Sequence, residues 1–157
     1  VKLVPGLRRH IAKTILFCGV SGRDHVINNL DGVYEFRQVS DFKSAASVAE
    51  TCASARSELA LLVVYVGVEQ NGLIGLLKRI RENEHLSSCT IVGLVGDDGK
   101  AAVQATRKFI DSFTYYGVTD AVLMRVCHDV LEKTEEREWD FLQNEDRVVL
   151  QSTKSAF

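Results

Sequence analysis

The chain has 157 residues, a length that suits one domain with its own core, and its 46% apolar and 25% charged residues are ordinary for a globular protein. Its net charge of −2 gives no footing for non-specific nucleic-acid binding. No apolar run reaches the roughly 18 residues of a membrane span, and the four cysteines, at 18, 52, 89 and 127, form no CxxC pair that would suggest zinc or thioredoxin chemistry. The segment Val1 to Lys13 is too short and too basic for a signal peptide, so a reducing cytoplasm is the expected compartment. The first residue is Val and not Met, which fits a piece of a longer protein.

Thr14 to Val20 is a short apolar run that predicts a buried strand, and Arg23 to Leu30 a short helix. Val33 to Val39 alternates apolar and polar residues, as a strand with one covered face does. Ser40 and Asp41 are good N-caps for an alanine-rich helix over Phe42 to Arg56. Leu59 to Val66 is apolar throughout, the mark of a strand buried on both faces of a parallel sheet. Gly72 to Glu84 carries Leu73, Leu76, Leu77 and Ile80 at helical spacing, and Thr90 to Val95 is another buried strand. Lys100 to Tyr116 predicts a helix closed by Gly117, Asp120 to Met124 a short fifth strand, and a last helix is expected from Val126 past Asp146.

Strands and helices alternating in this way predict an α/β domain with a parallel sheet covered on both faces. The flavodoxin-like order 2-1-3-4-5 is the common five-stranded solution, and its ligand crevice lies beyond the carboxyl ends of strands 1 and 3. Here that crevice falls beside Gly19 to Ser21 and Gly67 to Gln70.

The helix Asn71-Gly-Leu-Ile-Gly-Leu-Leu-Lys-Arg-Ile-Arg81 resembles the "DGLELLKxIR" helix of the receiver (CheY-like, response-regulator) family, with one residue added. Gly117-Val-Thr-Asp120 is similar to the "GADD" that precedes that family's fifth strand. The resemblance implies an N-terminal extension at 1–12, a receiver-like domain at 13–133, and a helical tail or linker to an output domain at 134–157. It also implies five functional positions: an acidic pair that binds Mg²⁺, an Asp nucleophile, a hydroxyl and a Lys. Converging carboxylates on a hard cation are not replaceable by apolar groups. Here the acidic pair falls on Gly19 and Val20, the nucleophile on Tyr65 or Val64, the hydroxyl on Val95 and the lysine on Met124. None of the required side chains is present, so a degenerate pseudo-receiver is expected, with no catalytic residue, no metal and no cofactor.

Other candidate sites read as structural. Gly96-Asp-Asp-Gly-Lys100 has Leu94 and Ala101 where a Walker loop needs Gly and Ser or Thr, so a turn with solvated Asp97 and Asp98 is expected. Cys127 and His128 are adjacent on a helix and do not face each other. The expected function is phosphorylation-independent regulation through a protein partner, an output domain or a homodimer, with no nucleic acid and no membrane bound by this domain. The resemblance points to the fourth helix, fifth strand and fifth helix, and the contact residues expected there are Phe109, Phe113, Tyr116, Arg125 and Trp139. The alternative is a sensor that binds a small molecule at the switch-point crevice.

Overall fold

A computed structural model describes residues 13–20, 22–23, 34–55 and 57–132. The predicted helix over Arg23 to Leu30 beyond its first residue, the segment 1–12 and the tail with Trp139 lie outside the described residues. The described elements are β1 (Lys13–Cys18), β2 (Tyr34–Val39), α1 (Phe42–Ser54), β3 (Glu58–Val66), α2 (Gln70–Glu82), β4 (Thr90–Val95), α3 (Lys100–Thr106) and β5 (Ser112–Tyr115), followed by a helix over 120–132, here α4. All strand pairs are parallel, and the sheet order is β2-β1-β3-β4-β5. This is the doubly wound, flavodoxin-like arrangement expected from the alternation of elements.

After polar first residues, the central strands are almost wholly apolar because both faces are covered. One face buries Leu16, Leu62, Val64, Val66 and Ile91 beneath Ala45, Ala49 and Cys52 of α1, Leu73, Leu77 and Ile80 of α2, and Ala102 of α3. The other buries Ile15, Phe17, Leu61, Val63, Val92 and Leu94 beneath Leu123 and Cys127 of α4. Each fully buried side chain of this size contributes about 1.5–3 kcal/mol. The pairing of β1 with β3 shifts register after Thr14, so that Thr14 faces Leu59 and Ile15 faces Leu61. That irregularity at Ala60 puts Leu59 and Leu62 on the same face, and strict alternation then runs from Leu61 to Val66.

The carboxyl half differs from the sequence expectation. The predicted helix Lys100 to Tyr116 ends at Thr106, whose hydroxyl bonds back to the Ala102 carbonyl at 2.7 Å. The fifth strand is Ser112–Tyr115, a run of aromatic and β-branched residues, and not Asp120 to Met124. Asp120 to Met124 is helical because Thr119 caps it, its hydroxyl accepting from the Val122 amide at 3.3 Å. Leu123 and Cys127, four residues apart, are its buried stripe. Gly117 therefore follows the fifth strand and does not precede it.

A clasp at the amino end of the sheet fixes the β4–β5 half. The Arg81 guanidinium donates to the carbonyls of Ser87 (2.8 Å), Cys89 (2.6 Å) and Phe109 (2.7 Å) and to the Asp111 carboxylate (3.0 Å). Asp111 also accepts from the Ile91 amide at 2.7 Å, at the start of β4. Removing the guanidinium takes a charged donor from three carbonyls and from the Asp111 carboxylate, which keeps only the Ile91 amide among these contacts. Arg81→Met is expected to lower unfolding stability by about 2–4 kcal/mol in urea melts. A change within about 0.5 kcal/mol, the usual size for a plain surface substitution, would show that the clasp is not structural.

Candidate functional site: a crevice filled by a tyrosine

The loops that follow β1, β3, β4 and β5 converge at the carboxyl edge of the sheet. The alternation along β3 decides which residue reaches that edge. Val64 is sealed in the core, opposite Cys18 and Gly93. Tyr65 belongs to the other face and is only partly buried. Its ring lies across the ends of three loops, each of which meets it with a glycine.

The fit is close at all three positions. A Cβ on Gly19, after β1, would sit 3.1 Å from Tyr65 Cβ. A Cβ on Gly67, after β3, would sit 2.5 Å from Tyr65 Cε2, and one on Gly96, after β4, 2.1 Å from its hydroxyl oxygen. Gly19 also has φ of +72°, a conformation that L side chains rarely adopt. Tyr65 Oη donates to Asp98 Oδ1 at 2.9 Å, in the turn after β4 that the Gly99 amide closes onto the Gly96 carbonyl. The bond to the Asp98 carboxylate raises the phenol pKa, so Tyr65 remains a neutral donor at physiological pH.

Behind Tyr65 stands Tyr116, the first residue after β5, with ring centroids 5.1 Å apart in an edge-to-face contact. The Arg23 guanidinium lies 5.7 Å from the Tyr116 ring centroid, donates to the Tyr116 carbonyl at 2.8 Å and pairs with Asp120 at 3.6 Å. The loop after β1 is thereby tied to β5 and to the start of α4.

Of the positions named from the sequence, Gly19, Tyr65 and Val95 do lie at the carboxyl ends of β1, β3 and β4. Val20 follows Gly19 but is buried in the core. Met124 is misplaced: it lies within α4, and the residue that follows the fifth strand is Tyr116. The error follows directly from the shifted fifth strand. The proposed contact residues divide similarly. Phe109 and Phe113 are partly buried against the core on one face and Tyr116 on the other. Arg125 is exposed. The exposed apolar side chains in this region are Tyr115, 71% accessible at the end of β5, and Val122 on α4.

The remaining candidates behave as structural groups. Cys18, Cys89 and Cys127 are buried, and desolvation pushes each thiol up to about 12. Cys127 points inward while His128 is exposed, so they make no thiol–imidazole pair. His128, Asp129 and Glu132 do lie close enough to share an ion, but on the outer face of α4, away from the crevice.

A second space opens on the other side of Tyr65. This cleft, of about 590 Å³, is bounded by Gly19 after β1, by Ser40 to Lys43 at the start of α1, by Gly67 to Glu69 and Gly72, and by Tyr65 and Asp98. It lies at the switch point between β1 and β3, the position expected for a ligand crevice in this topology.

No protein-family model matches the sequence, and no curated protein matches it. Solved structures do. The REC domain of AraT, a response regulator from Geobacillus stearothermophilus, superposes with a TM-score of 0.61 at 20% identity, over 82% of this chain and 98% of that one. A CheY-like response regulator receiver domain protein from Methanospirillum hungatei JF-1 gives 0.62 at 9% identity, over 81% and 98%. The response regulator LqsR from Legionella pneumophila gives 0.58 at 17% identity, over 86% of this chain but 48% of that one, so the chain spans about half of LqsR. The chain thus has the receiver fold of two-component signalling proteins. Among the described residues, no helix is long and apolar enough to cross a membrane.

The fit of Tyr65 among glycines is open to a direct test. Gly96→Ala is expected to cost about 1–3 kcal/mol through overpacking against the phenol. In a Tyr65→Val background the same substitution is expected to cost under about 1 kcal/mol, a coupling that a double-mutant cycle measures. Equal costs in both backgrounds would show that Gly96 is not there to admit Tyr65.

Proposed function

We propose that this domain is a phosphorylation-independent pseudo-receiver that regulates by protein–protein contact. One observation supports the reading: Tyr65, packed against Gly19, Gly67 and Gly96, stands at the end of β3, where the resemblance puts a receiver's nucleophilic carboxylate. Receiver chemistry needs carboxylates on a hard cation, with a hydroxyl and a lysine to receive the phosphoryl oxygens. The corresponding strand ends here are Gly19 and Val20, Tyr65, Val95 and Tyr116. Asp98, the carboxylate nearest the phenol, is engaged by it.

The contact surface that the exposed side chains favour is β5 with the outer face of α4. β5 is an edge strand, and such edges carry unpaired backbone groups that can recruit another chain. Tyr115 at its end, and Val122 and Arg125 on α4, are exposed. Tyrosine and arginine are enriched at interface centres. Self-association through this face, or contact with an output domain, follows from the reading.

Sedimentation velocity over a range of concentrations, with and without acetyl phosphate and Mg²⁺, tests both parts. Reversible association is expected that is identical in the two conditions and is lost in Tyr115→Glu, with the intact mass unchanged by the phosphodonor. A phosphoryl adduct on a carboxylate, or association that depends on acetyl phosphate, contradicts the proposal. Monomers at every concentration rule out self-association by this face.

A further inference from the structure

The cleft beside Tyr65 has the volume of a small-molecule site and a lining of definite character. Its walls include two aromatic rings, Phe42 and Tyr65. Gly72 lets the Phe42 ring come close: a Cβ there would lie 2.8 Å from Phe42 Cδ2 and 2.9 Å from Glu69 Oε1. Among the described residues, the charged members of the lining are Asp41, Glu69 and Asp98 against Lys43.

Two observations decide the sign of the ligand. Three carboxylates and one ammonium give the cleft a negative field, which repels phosphates and attracts cations. Further, the first turn of α1, where an anion would otherwise find backbone donors, already has an acid of its own. Asp41 Oδ1 accepts from the Ser44 amide at 2.6 Å, and that bond holds its carboxyl below the usual carboxylate range. A nucleotide would meet like charge on every side but one. An ammonium or guanidinium would meet carboxylates and two aromatic side chains, whose rings attract cations through their quadrupoles.

We infer that the cleft binds a small organic cation, an amine or guanidinium on a short chain, between the Glu69 and Asp98 carboxylates and against the Phe42 and Tyr65 rings. The ligand would bridge the β3–α2 loop, the β4–α3 turn and the start of α1, and through the Tyr65–Asp98 bond would reach the β5 side of the sheet. This inference does not rest on the protein-contact reading, since a ligand-binding domain can be monomeric.

Isothermal titration calorimetry of the whole chain with agmatine as probe and ATP as the anionic counter-probe tests it. Agmatine is expected to bind at one site per chain, and ATP to give no binding heat. The double variant Glu69→Gln/Asp98→Asn is expected to lose at least about tenfold in affinity, the scale of one charge-assisted hydrogen bond. Both side chains are exposed, so folding should be kept, with the thermal midpoint as the check. Glu69→Gln alone and Phe42→Leu, each expected to weaken agmatine several-fold, serve if the double variant does not fold. No agmatine binding up to millimolar concentration, equal affinity in the variants, or binding of ATP in preference to agmatine overturns the inference.

Discussion

The carboxyl edge of this sheet is organised around one side chain that has to be accommodated. Tyr65 stands where the loops after β1, β3 and β4 meet, and each loop yields to it with a glycine. An alanine methyl at Gly96 would overlap the phenol oxygen, so the residues of this edge constrain one another. The same ring then braces Tyr116, and Tyr116 holds Arg23 through its carbonyl and its face. On the proposed reading, the ring stands at the end of β3, where a receiver's Mg²⁺–carboxylate cluster would need room.

The rest of the fold supplies a rigid frame for that edge. The apolar strands β1, β3 and β4 leave few polar atoms to satisfy away from the loops. At the opposite end Arg81 and Asp111 hold the β4 and β5 segments together through backbone carbonyls and an amide. Tyr65 therefore connects parts that are already fixed. Its bond to Asp98 secures the β4–α3 turn, and its contact with Tyr116 secures the entry to α4. In a receiver fold those are the parts next to the β5 edge, where Tyr115 and Val122 are exposed. On the proposed reading this surface is held in one arrangement by packing, with no chemical event needed to set it.

Much of this was legible in the sequence. The apolar run Leu59 to Val66 could only be a strand covered on both faces, and Leu73, Leu76, Leu77 and Ile80 could only be a helix lying on a core. Asp41 was readable as a cap because a carboxylate three residues before Ser44 satisfies a free amide there. The end of the chain was harder. Ala121 to Met124 is as apolar as a short strand, and periodicity does not separate a short strand from a helix segment. The deciding signals are Thr119 as a cap, Leu123 and Cys127 four apart, and the β-propensity of the aromatic run Phe113 to Tyr116. Placing the fifth strand at Ser112–Tyr115 puts Tyr116, and not Met124, directly after it. The glycine contacts of Tyr65 were beyond reach of sequence reasoning, since Gly19, Gly67 and Gly96 meet only in the folded chain.

The claim that Tyr65 replaces the phosphoryl site is tested most directly with a phosphoryl mimic. Beryllofluoride with Mg²⁺ is added to isotope-labelled protein, and the backbone amides of Gly19, Gly67, Gly96 and Tyr116 are followed by NMR. The account predicts resonances that stay in place at saturating mimic, with the Tyr65 ring signals unshifted. Saturable movement of these amides, or displacement of the Tyr65 ring, would show that a phosphoryl group and its metal can enter, and would contradict it.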